Sequence, residues 1–131
     1  MTKEAWVNIF VHQLKGIMFH ADAYGVSVLH GYKRIKMAHC KQLKEETENF
    51  MYTRQKSIEC LGEIVDIPTV QRIAVPPNAT EKEIADMWMK WETEAAEVYA
   101  KAVLEEPTCK MWVCLHSGAT DEMHRISKMH F

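Results

Sequence analysis

The chain has 131 residues, of which 47% are hydrophobic and 26% charged, with a net charge of -2. That length suits one ordinary domain, 1–131, with enough apolar content for a core. The near-balanced charge announces no polyelectrolyte partner, which makes nucleic acid an unexpected ligand. No run of 18 apolar residues is present, so no membrane span is expected.

The opening segment MTKEAWVNIF lacks the basic start, long apolar run and small-residue cleavage site of a signal peptide. A cytoplasmic location is the expectation, with Cys40, Cys60, Cys109 and Cys114 as reduced thiols. None of the four forms a C-x-x-C pair, so a zinc knuckle or thioredoxin-type motif is not expected.

The spacing predicts a first helix over about 3–29, with Trp6, Phe10, Gln13, Ile17, His20, Tyr24 and Val28 on its core-facing stripe. A turn follows at Leu29-His30-Gly31. The second predicted helix covers about 32–61 and ends near Gly62, a C-terminal cap. Its stripe holds Ile35, His39, Leu43, Glu46, Phe50, Ser57 and Leu61.

Residues 63–79, EIVDIPTVQRIAVPPNA, contain three prolines and forbid a continuous helix. The segment is too long for a tight turn between helices. It reads as a connection that travels the length of the domain, which would set the second and third helices parallel.

Thr80-Glu81-Lys82-Glu83 is a capping box for the third helix. Ile84, Trp88, Glu92, Ala95, Tyr99 and Ala102 or Val103 form its stripe, and Pro107 stops it. A fourth helix over about 109–129 carries Trp112, Leu115, Ala119, Glu122, Ile126 and Met129 on one face. Gly118 is expected to weaken it or break its phase. The fold class expected is all-α: four helices, short first and last links, and a long middle crossover.

Each predicted helix interrupts its stripe with polar groups near its middle: Gln13 and His20; Glu46 with Asn49 beside it; Glu92; then Glu122 with Asp121 and His124 nearby. A buried carboxylate costs several kcal/mol, roughly, unless it is paired or binds a metal. Hard oxygen donors with one or two imidazoles suit iron or manganese. A Glu at a stripe's edge reaching solvent, and a core amide satisfied by a structural hydrogen bond, are the plainer alternatives.

The segment GYKRIKMAHCKQLKEETENF (31–50) resembles the second helix of rubrerythrin-type and other ferritin-like proteins. In that family a Gly-Tyr opening is followed after fifteen residues by a metal-binding Glu, here Glu46, and three residues later by a His, here Asn49. Glu92 stands seven residues before Tyr99, as in the family. The segment DEMH (121–124) resembles the second Glu-x-x-His, with Asp121 in the Glu position and His124 retained. Gln13 stands where the first helix of the family carries a Glu, and His20 where it carries a Tyr. Periodicity puts Glu122 on the core face, whereas the motif requires Asp121 and His124 there.

The resemblance implies a ferritin-like four-helix bundle with a long crossover, covering nearly the whole chain. It implies a metal site, iron or manganese, formed by Glu46, Glu92, Asp121 and His124, with His20 and Glu122 as weaker candidates. Gln13 and Asn49 are degenerate ligand positions, so the site is reduced to about half of the family's di-metal centre. Activity, if retained, would be ferroxidase- or peroxidase-type, in iron oxidation, storage or oxidative-stress protection. Loss of the metal chemistry would leave a scaffold that works through oligomerisation or partner binding. In either case the chain is expected to form a homo-oligomer, a dimer or larger. The basic run Lys33, Arg34, Lys36 and Lys41 could meet phosphates, as in some miniferritins, but the acids that follow it partly cancel its field. Neither the rubredoxin-like module of rubrerythrins, which needs C-x-x-C pairs, nor the fifth helix of large ferritin cages is expected in residues 1–131.

Overall fold

Four helices and no strand make up the chain: α1 (Lys3–His30), α2 (Lys33–Leu61), α3 (Glu81–Glu105) and α4 (Lys110–Ser127). These come from a computed structural model that describes residues 1–131. No helix is long and apolar enough to cross a membrane. The chain divides into two compact units, Thr2–Glu81 and Lys82–Phe131, with Met1 belonging to the second.

In the first unit α1 and α2 form an antiparallel hairpin. Thr2 caps α1, its hydroxyl accepting from the Ala5 amide at 3.1 Å. Gly31 ends α1 with φ of 71°. The Tyr32 amide then donates to the Ser27 carbonyl at 2.9 Å and the Gly31 amide to the Val28 carbonyl at 3.3 Å, closing a Schellman turn. Only glycine adopts that backbone without steric cost.

The inward face of α1 holds Trp6, Ile9, Phe10, Gln13, His20, Ala23 and Ser27. Large residues crowd the N-terminal half, and small ones line the end near the turn. Tyr24 and Val28, expected on the stripe, are 38% and 53% exposed, and Ala23 and Ser27 face inward in their place. A strict alternation of threes and fours keeps a stripe facing one partner, whereas repeated steps of four drift around the helix.

The inward face of α2 is chemically unusual. Its buried residues are Ile35, His39, Gln42, Glu46, Thr53 and Ser57, and only the first is apolar. Leu43, Phe50 and Leu61, expected on this stripe, are half-buried. The aromatic contacts of the hairpin come largely from α1. Phe10 meets Phe50 edge-on at 5.8 Å, and the Arg54 guanidinium lies over the Phe10 ring at 5.0 Å.

The segment after α2 runs back along the hairpin. Glu63 pairs with Lys3 at one end. Arg72 donates from Nε to Asp22 at 2.6 Å part-way along. At the far end the Pro77 carbonyl accepts from His30 Nε2 at 2.6 Å, and the Ala79 carbonyl accepts from the Tyr32 hydroxyl at 3.1 Å. α1 is about 40 Å long. An extended chain gains about 3.3 Å per residue, so this segment covers that distance with slack for its prolines.

The second unit is the α3–α4 hairpin. α3 begins at Glu81, directly after Thr80, and buries Ile84, Trp88, Glu92, Ala95, Tyr99 and Ala102, as its periodicity predicts. The Tyr99 and Trp112 rings stack at 6.5 Å across the hairpin. Trp112 Nε1 donates to Glu106 at 3.1 Å, and the Met1 ammonium pairs with the same carboxylate at 3.3 Å. α4 runs unbroken through Gly118 and ends at Ser127, leaving Met129 outside it. All four tryptophans are at most 1% exposed: Trp6 in the first unit, and Trp88, Trp91 and Trp112 in the second.

Candidate functional site

The polar seam of the α1–α2 hairpin is ordered in layers. In one, Gln13 Nε2 donates to the Thr53 hydroxyl at 3.0 Å, and that hydroxyl donates to the Asn49 carbonyl at 2.7 Å. Both side chains are fully buried. Side chains on a helix lean toward its N-terminus, so in an antiparallel pair Gln13 and Thr53 lean toward one another. The amide thus serves as a hydrogen-bond donor across the hairpin.

Two turns along α1, His20 meets His39 with the two Nδ1 atoms 2.8 Å apart. The ring centroids are 5.1 Å apart. That equals the nitrogen separation plus the two centroid-to-nitrogen radii, so the nitrogens point straight at each other. Only one proton fits between them. One ring must carry it on Nδ1 while the other presents a lone pair there and holds its proton on Nε2. Phe19 packs edge-on against His39 at 5.5 Å.

Both imidazoles are held neutral. Burial pushes His20 well below the usual histidine range, and the proximity of His39 adds to the effect. Burial lowers His39 to about 4.

Between these layers, on α2, lie Gln42 and Glu46. Gln42 Nε2 donates to Glu45 at 3.3 Å, and Glu46 is 8% exposed. Asn49, at the position of the family's histidine, is half-buried.

In the α3–α4 hairpin Glu92 is 2% exposed and Glu122 8%. Glu122 is paired at 3.2 Å with Arg125, one turn later on α4. Asp121 and His124 are exposed. The helix keeps its phase through Gly118, so periodicity describes its inward face and the DEMH motif does not.

The donor set can be compared with the paired Glu-x-x-His centre that the resemblance implies. On α2 the imidazole is replaced by the Asn49 amide, and on α4 both members of the pair stand on the exposed face. The first-helix position is Gln13, engaged with Thr53. These residues do not fit that centre. Glu46, Glu92 and Glu122 remain as buried carboxylates on three helices. His20, a weaker candidate, is engaged with His39. His39, Gln42 and Thr53 also belong to this polar seam. Their signal was the 3-4 spacing of 35, 39, 42, 46, 53 and 57, obscured because five of those six residues are polar.

No family model, curated protein or solved structure matches the chain.

Proposed function

We propose that this chain is a ferritin-like helical scaffold that acts by association and no longer houses the family's paired metal centre. The bundle architecture of that proposal is in keeping with four helices and with a second connection long enough to run back along α1 and α2. The observation that carries it is the hydrogen bond from Gln13 to Thr53 at 3.0 Å. At a position where the family carries a carboxylate, an uncharged amide directs its N–H group to a neutral hydroxyl on the facing helix and brings no negative charge to offset a metal cation. The His20–His39 pair adds a second cross-helix polar tie without net charge.

A second reading, an iron or manganese ion held through buried carboxylates, is favoured by the burial of Glu92 and Glu122 within the α3–α4 hairpin. Such an ion would supply oxidation chemistry with dioxygen or peroxide.

Anaerobic loading with Fe(II), followed by elemental analysis of wild type beside Glu46→Ala and Glu92→Ala, tests the proposal. Wild type without stoichiometric iron is expected. Two irons per chain, lost in both variants, would overturn it. One iron per chain, lost in Glu92→Ala, would establish the second reading instead.

A further inference from the structure

The outer face of α2 has properties its inner face lacks. Met37, Met51 and Tyr52 are 70%, 65% and 60% exposed there, and Ile58 is 38% exposed. Apolar side chains of this size normally seek cover, and here they stand opposite a buried face that is mostly polar.

The charges on the same outer stripe are segregated. Lys33, Lys41 and Lys44 occupy its first half, where the one neighbouring acid, Glu45, stands at the edge of the stripe and pairs with Lys41 at 3.9 Å. Glu48 and Glu59 occupy its second half, with no base. This order opposes the helix dipole, which favours acids at the N-terminus and bases at the C-terminus. α2 has no acid in its first turn and no base in its last. Lys44 and Glu48 stand four apart in the less favourable order, Lys before Glu, and make no ion pair in the chain.

We propose that this face docks a second copy of the same chain, α2 against α2 in antiparallel orientation, about a twofold axis crossing the outer face midway between Lys44 and Glu48. In that register Lys44 faces Glu48 of the second copy, and Lys33 faces Glu59, each pair occurring twice by symmetry. The Lys41 stem lies over Met51 of the second copy, and Met37 is covered by Gln55. No like charges are opposed along the stripe. The second copy reverses the field along α2, so the arrangement that opposes the dipole within one chain becomes complementary across two. The overlap from residue 33 to residue 59 is about 39 Å of helix. This inference names the partner for the association proposed above and rests on that reading only for its biological purpose.

The experiment uses the full chain and reads mass by sedimentation equilibrium over a range of concentration and salt. Wild type is expected as a dimer that dissociates as salt rises. Lys44→Glu alone and Glu48→Lys alone are expected to be monomeric, since each opposes like charges twice. An equimolar mixture of the two is expected to dimerise, because every opposed pair is then of opposite sign. The double variant Lys44→Glu/Glu48→Lys is expected to recover self-association. Circular dichroism of each variant establishes that it is folded. A monomeric wild type, single variants that dimerise as wild type does, or a mixture that stays monomeric would each overturn the proposal. Iron stoichiometry on the same preparations decides the scaffold reading separately, so the two can fail independently.

Discussion

His20 and His39 share one proton between two Nδ1 atoms 2.8 Å apart, at a point in the first hairpin where neither ring is exposed. The contact exists only while the pair is neutral or singly charged, because a second inner proton would set two N–H groups against each other. The stability of the hairpin is therefore coupled to pH.

The sign of that coupling follows from the direction of the shifts. His39 titrates at about 4 in the folded chain, and His20 also lies well below 6.5. The unfolded chain binds these protons near 6.5. Stability from the pair is present above that value and is lost as pH falls toward 4, by up to about 1.4 kcal/mol per pH unit for each imidazole. Urea denaturation between pH 4 and 8 should show this fall in wild type and a shallower one in His39→Gln. Equal slopes would show that other groups carry the pH dependence.

The Gln13–Thr53 bond makes a separate prediction. Thr53→Val keeps the side chain's shape and removes the acceptor, leaving a buried amide donor without it, at a cost of about 1–3 kcal/mol. Gln13→Leu combined with Thr53→Val should recover part of that loss, with a coupling of about 0.5–1.5 kcal/mol in a double-mutant cycle. Additive effects would mean that the bond contributes nothing to stability.

Two glycines should respond to alanine in opposite directions. Gly31 has φ of 71°, and an added Cβ would meet nothing within 4 Å, so its cost is backbone strain alone. Gly31→Ala should destabilise by about 1–2 kcal/mol, and Gly31→Asn by less. Gly118 lies inside α4, also with open space around an added Cβ. Gly118→Ala should stabilise by about 0.5–1 kcal/mol. Thermal melts of the three variants check both signs.

Trp112 combines a stacked ring with one hydrogen bond to Glu106. Trp112→Phe keeps most of the apolar contact and should cost about 1 kcal/mol more than its area predicts, for the lost N–H bond. Trp112→Ala should cost about 3–5 kcal/mol. Chemical denaturation followed by circular dichroism separates the two, and a Phe variant as unstable as the Ala variant would discount the packing account.

The helices were legible in the sequence for different reasons. α3 was the clearest: its stripe is apolar and aromatic apart from Glu92, and the helix begins directly after Thr80, where the capping box places its start. α2 was visible as a helix, but its inward side was not fully visible, because a face of His, Gln, Glu, Thr and Ser has little hydrophobic contrast with the outer side. Tyr24 and Val28 lie off the inward face because the small residues Ala23 and Ser27 face the partner helix near the turn. The phase of α4 is legible from Trp112, Ala119, Glu122 and Ile126, which face inward, and it leaves Asp121 and His124 outside. The His20–His39 contact could not be read from spacing. It depends on the stagger of two helices, set by a turn whose geometry Gly31 allows but whose register it does not announce.

The tryptophans are divided one to three between the units, with Trp6 in the first and Trp88, Trp91 and Trp112 in the second, all buried. Indole emission during unfolding therefore reports mainly on Lys82–Phe131. The proton between His20 and His39 should give a downfield imidazole resonance confined to Thr2–Glu81. The molecule thus carries an optical probe weighted toward one unit and a magnetic one restricted to the other. Whether their transitions coincide measures how far the two halves unfold as a single cooperative unit.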